Sequence, residues 1–281
     1  MRFGINTFLF TSPFTNASTA FFKDFKVWGF ESVEIPIEHE SHIDASYVKS
    51  ELDRYDLACA AAGGAFGPGR DLRGTPEEQE ACIDYVHYLI DAAVTLGAPT
   101  LVGPVYSAVG RAEYVPEKER KAQWKLVVRH LKKLCHYAEK KGKRISIEAL
   151  NRFETDFINT CDQALQMAHD VGSPALYIHL DTFHMNIEEK DSAAAIRRAG
   201  KRLGYFHACG CDRGTPGSDH IDWKSIAAAL KRISYNGDVV IESFTPDVKV
   251  IAKAAAIWRT IEPKKEDIAI KGVKFLKKIF K

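Results

Sequence analysis

The stretch ALYIHLDTFHMNIEE, Ala175–Glu189, decides how this chain is read. Its first half is an apolar run of strand length. Its second half opens with Asp181, then His184 and two further acids. A strand end that only has to turn takes Gly, Asn or Pro. A carboxylate and an imidazole at the tip therefore mean either a polar helix start or part of a site. Runs like this one recur along the chain: RFGINT, SVEIPI, LACAAAGG, PTLVGPVY, RISIEAL, LYIHLDT, LGYFHACG and DVVIESF. Most are apolar nearly throughout, the pattern of parallel strands covered on both faces.

Between the runs lie segments with helical spacing and start signals. TPEEQE offers Thr75 as N-cap, Pro76 at the first helical position and Glu78 as the reciprocal acid of a capping box. NTCDQALQMAHDVG repeats the device with Thr160 and Gln163, and Gly172 is a stop signal. The segment from Tyr114 to Lys143 predicts one long helix ending at Gly142. Eight strands alternating with helices specify an α/β protein, a (β/α)8 TIM barrel, with residues 1–281 as one domain. A doubly wound sheet is the alternative, but INTFLFTSP after the first strand lacks the Gly-rich dinucleotide loop that would favour it.

With 46% hydrophobic residues the chain can bury a sizeable core, and a net charge of +2 implies neither nucleic acid nor an anionic membrane as partner. Six scattered cysteines, Cys209 and Cys211 among them, resemble the reduced, buried thiols of a cytoplasmic protein more than a disulfide framework. The start, MRFGINTFLF, lacks a signal-peptide pattern, and no apolar stretch is long enough for a membrane span. IAIKGVKFLKKIFK at the end reads as a closing helix that lays its apolar face on the body.

A TIM barrel collects its chemistry at the C-terminal tips of its strands. The last four runs end near Glu148, Asp181, His207 and Glu242, each about one βα unit, roughly 30 residues, from the next. Any one of these alone reads as a helix cap or a loop ion pair. Four in register are harder to explain that way. Three carboxylates crowded together need a counter-charge. A divalent cation supplies it, and carboxylate oxygens with one imidazole nitrogen suit Mn²⁺, Mg²⁺ or Co²⁺. Other histidines read as structural: His130, His136 and His169 on helix faces, His39 and His42 in a polar loop, His179 as a satisfied core residue. Asn151, Arg152, Glu154, His184 and Arg213 lie near the same tips and suit a small polyhydroxylated ligand or loop ion pairs.

IEALNRFET, LDTFHMNIEE, FHACGCDRG and VVIESF together resemble the ketose 3-epimerases, the D-tagatose 3-epimerase and D-allulose (psicose) 3-epimerase family of xylose-isomerase-like barrels. The resemblance runs over nearly the whole chain, including GPVYSA and Trp258–Arg259. It implies Glu148, Asp181, His207 and Glu242 as metal ligands, with Glu148 and Glu242 as the two acid/base groups that invert C3. It implies sugar contacts from Glu154, His184 and Arg213. It also implies Mn²⁺ first, with Co²⁺ or Mg²⁺ as substitutes, and a homodimer or homotetramer. The chain departs from the pattern where Asn6 and Thr7 replace aromatic residues, where Phe14 replaces a sugar-bordering Trp, and where VGRAEY replaces an aromatic wall. Asn6 and Phe14 are accordingly expected at the sugar.

Five other readings stay open at this level. An aldose–ketose isomerase or a polyol dehydratase begins with the same proton abstraction. A ketose-phosphate epimerase would hold its phosphate in the loops after strands seven and eight. Of those, ESFTPDVKV has no glycine while DRGTPG has two. A phosphodiesterase of the apurinic-endonuclease kind would need more strand-end histidines and a basic DNA face. A non-catalytic sugar sensor would have no use for two opposed carboxylates around a metal.

Overall fold

All eight runs form strands in the computed structural model, which describes residues 1–280. They are β1 (Arg2–Asn6), β2 (Ser32–Ile37), β3 (Ala58–Gly64), β4 (Thr100–Gly103), β5 (Arg144–Glu148), β6 (Leu176–Asp181), β7 (Leu203–Ala208) and β8 (Asp238–Ile241). Each pairs in parallel with the next, and β1 pairs with β8, so the sheet closes into a single-domain (β/α)8 barrel. The helices are α1 (Phe22–Trp28), α2 (Ala45–Arg54), α3 (Pro76–Leu96), α4 (Glu117–Lys140), α5 (Cys161–Val171), α6 (Thr182–Glu188), α7 (Ser192–Ala199), α8 (Trp223–Arg232), α9 (Lys249–Ala254) and α10 (Lys265–Ile279).

The start signals act as read. Thr75 and Glu78 form a reciprocal capping box on α3 with Pro76 in its first turn, and Thr160 and Gln163 do the same on α5. Gly172 ends α5 at φ +69°, a left-handed value that costs glycine nothing. The closing helix α10 buries Ile268, Ala269, Val273 and Leu276. Among the described residues no helix is long and apolar enough to cross a membrane, and no cysteine is paired.

Side chains alternate across each strand with period two, and this alternation positions the site. Ile145 and Ile147 of β5, Ile178 and Leu180 of β6, Phe206 of β7, and Val239 and Ile241 of β8 join the main apolar core. The intervening residues turn the other way, into the barrel: Ser146 and Glu148, His179 and Asp181, Tyr205 and His207. The runs of β5 to β7 are therefore apolar on one face and polar on the other, whereas Val240 of β8 joins Ala60, Ala61, Val102 and Tyr205 in a small apolar cluster of its own.

Candidate metal centre and active site

Asp181 ends β6 and caps α6, and its two oxygens divide the labour. Oδ1 accepts from the Phe183 N–H at 2.7 Å, the helix-start role. Oδ2 lies 2.5 Å from the Arg213 guanidinium and 3.8 Å from His207 Nδ1. Helix cap and site residue are the same side chain. Register does the rest, since Asp181 is the direct Cα partner of His207 on β7.

Glu148, Asp181, His207 and Glu242 offer one ligand atom each, all within 4.8 Å of one another. His207 Nδ1 is 3.3 Å from Glu242 and 3.9 Å from Glu148. Its Nε2–H donates to Glu34 at 2.6 Å, which turns Nδ1 toward the three carboxylates. Glu34 also accepts from the Tyr205 hydroxyl at 2.8 Å and from the Asn6 amide at 2.9 Å. A carboxylate behind a ligating imidazole fixes its orientation and raises its basicity. In the sequence Glu34 is marked only as an acid in the middle of the apolar run SVEIPI, with nothing nearby to show its partner.

Electrostatically the cluster is frustrated as a protein-only arrangement. Burial, reinforced by the charge of Glu242, pushes the Glu148 pKa well above the usual carboxylate value. Burial also lifts Asp181, against the opposing charge of Arg213. It would lift Glu242 too, but the charges of His207 and Arg213 outweigh it and hold that carboxyl low. Burial disfavours protonation of His207, yet Glu242 and Glu34 drive its pKa well above the ordinary value. Two buried atoms facing the cluster, Glu148 Oε1 and His207 Nδ1, have no hydrogen-bond partner. Converging oxygens, a free imidazole nitrogen and excess negative charge fit a divalent cation, and the donor set suits Mn²⁺, Co²⁺ or Mg²⁺. Ligation requires a neutral imidazole with a bare Nδ1 and ionised carboxylates, so cation affinity at such a site depends on pH. Cys209 adds no thiolate, because burial pushes its pKa well up and its Sγ–H points at Asp181, 3.3 Å away.

Above the cluster opens a cavity of about 520 Å³, lined by Glu148, Glu154, His184, Arg213 and Glu242 together with Phe8, Phe66 and Phe244. That volume lies within the range of small-molecule sites. Arg213 sits at φ +65° between the rings of Phe183 and Phe244, bridging Asp181 and Glu242. Its guanidinium also comes within 3.0 Å of His184 Nε2. Burial, helped by Arg213, holds the His184 pKa far below normal, so this imidazole is neutral. Glu154 accepts from the Asn151 amide at 2.7 Å, and burial raises its pKa.

Three expectations need correction. Phe14 does not line the cavity: it is fully buried and stacked on Phe22 at 6.2 Å, and Phe8 stands at the wall instead. Asn6 is not among the residues of this cavity either. It lies in a crevice beneath it and donates to Glu34 and Glu242, so it supports ligands. His179 is buried but not satisfied, since neither ring nitrogen has a partner and Nδ1 lies 3.7 Å from Glu148. Its inward position on β6 explains this. Arg152 points away, held by the carboxylate of Glu188.

The model of the xylose isomerase-like TIM barrel family matches residues 22–279, and the chain belongs to that family. More particularly, it is 33% identical to a probable ketose 3-epimerase of Synechocystis sp., over 100% of this chain and 97% of that one. It is 32% identical to an L-ribulose 3-epimerase of Methylomonas sp., covering 89% of this chain and 87% of the relative. The crystal structure of a D-allulose 3-epimerase from Methylomonas sp. in complex with D-allulose superposes with a TM-score of 0.91 at 29% identity, covering 99% and 96% of the two chains.

Proposed function

We propose that this chain is a metal-dependent ketose 3-epimerase acting on free ketoses. The observation that carries the reading is a pair of glutamates, Glu148 and Glu242, converging with Asp181 and His207 at the base of a sugar-sized cavity. The likeness to named ketose 3-epimerases supports it. A divalent cation held by these four residues, Mn²⁺ first among the candidates, would supply Lewis-acid polarisation at the carbonyl end of the sugar.

Inverting C3 requires a proton to leave one face of the sugar and another to arrive on the opposite face, through an enediolate. Glu148 and Glu242 are the acid/base pair, and their environments push their pKa values in opposite directions, Glu148 up by burial and Glu242 down by the charges of His207 and Arg213. Arg213 stabilises negative charge that develops on the sugar oxygens, and neutral His184 orients them. Arg213 is the only Lys or Arg lining the cavity among the described residues, and it is engaged by Asp181 and Glu242. A sugar phosphate would find no free cation there, which favours unphosphorylated substrates.

The test is to incubate metal-loaded and chelator-treated protein with free ketohexoses, free ketopentoses and their phosphates, and to identify the products. C3 epimers of the free sugars should form with the loaded protein only. Aldose products, a strong preference for phosphates or full turnover by metal-free protein would each overturn the assignment.

A further inference from the structure

The candidate metal ligands come from β5 to β8, so a ketose held there by its carbonyl end would point its other end toward β2 and β3. In the closed strand order β2 stands diametrically opposite β6. One residue beyond β2, Glu38 lines the same cavity as Glu148, His184 and Glu242. The proposed chemistry does not use it. Its Oε1 accepts from the Ser12 hydroxyl at 2.7 Å, while Oε2 is enclosed and has no hydrogen-bond partner.

The segment that carries Glu38 is held in place independently of that carboxylate. Arg70 donates to the backbone carbonyls of Glu38 at 2.9 Å and Ala65 at 3.1 Å, and its guanidinium lies 3.8 Å above the Tyr85 ring. Tyr85 in turn bonds the carbonyl of Ile37 and the N–H of Ala65. The backbone at Glu38 is thus clamped to the loop after β3, and the side chain lines the cavity with one carboxylate oxygen left without a partner.

We propose that Glu38 is a specificity-determining residue. It accepts a hydrogen bond from the hydroxyl distal to the ketose carbonyl and excludes sugars phosphorylated at that position. The inference rests on the function proposed above. A hydroxyl can supply the donor that Oε2 lacks. A phosphate brings only acceptors and negative charge to an enclosed carboxylate, where like charges repel strongly.

The experiment compares kcat/KM for a ketohexose, its 6-deoxy analogue and its 6-phosphate, in the wild-type protein and in Glu38→Gln. The wild type should lose about tenfold or more on removal of the terminal hydroxyl, the size of a hydrogen bond to a charged group. It should discriminate against the phosphate by a larger factor still. In Glu38→Gln both penalties should shrink by about tenfold because kcat/KM for the free hexose falls, while the Mn²⁺-induced rise in Tm is retained. Equal kcat/KM for hydroxyl and deoxy sugars in the wild type overturns the proposal without recourse to the variant. So does an unchanged free-to-phosphate ratio in Glu38→Gln. A wild-type protein that epimerises no free ketose would overturn the proposed function first, which separates the two failures.

Discussion

The two halves of the barrel share one backbone design and end very differently. At the tips of β5 to β8 stand Glu148, Asp181, His207 and Glu242, all converging on one point. At the tips of β1 to β4 stand Asn6, Glu38, Gly64 and Gly103, which supply a supporting amide, a far-wall acceptor and two positions without side chains. A Cβ on Gly103 would sit 3.1 Å from the Gly64 carbonyl oxygen, at a φ of +126°. The first half shapes and braces, and the second half carries ligands. Yet the halves are not independent. Glu34 of β2 reaches across the lumen to His207, and Asn6 of β1 bonds Glu242 at the end of the neighbouring β8. The ligand geometry on one side is set by hydrogen bonds from the other.

The sharpest way to break this division is at the second half. Glu148→Gln and Glu242→Gln should each lower kcat by about 10²–10⁴-fold, the range of general acid–base catalysis. The chain should stay folded by circular dichroism, and metal should still raise Tm, because the amide keeps one oxygen ligand. Retention of a substantial fraction of the wild-type rate by either variant would remove that residue from the acid/base pair.

A smaller effect tests the bracing. Glu34→Gln keeps the shape at β2 but weakens the acceptor for His207 Nε2–H and Tyr205. Metal affinity measured by calorimetry should fall by about 10–100-fold, with a smaller loss in kcat at saturating metal. An affinity equal to wild type would mean that Glu34 is a buried structural acid and the two halves act separately.

How far the sequence discloses these features follows the same division. Strands and helix starts are legible because each is a local pattern: Thr75 with Glu78 and Thr160 with Gln163 are spaced by helix geometry alone. The four ligands are legible because repetition of the βα unit brings ionisable tips back at a regular interval. Glu34 is not, because its partner His207 is 173 residues away and only barrel closure brings them together. His179 escapes for a related reason. In LYIHLDT its apolar neighbours suggest a core residue, whereas period-two alternation from Asp181 turns it into the lumen. Phe14 shows that a motif position can carry an aromatic residue without carrying its role, since stacking on Phe22 draws the ring into the core.

The central claim is that two carboxylates exchange the C3 proton of a ketose. Each can equilibrate with water between turnovers, so the proton delivered is not the one removed. Epimer formed in D₂O and examined by NMR at low conversion should carry deuterium at C3 and none at C1. Deuterium at C1 would indicate aldose–ketose isomerisation, loss of water would indicate a dehydratase, and a fully protonated C3 would contradict the two-glutamate account outright.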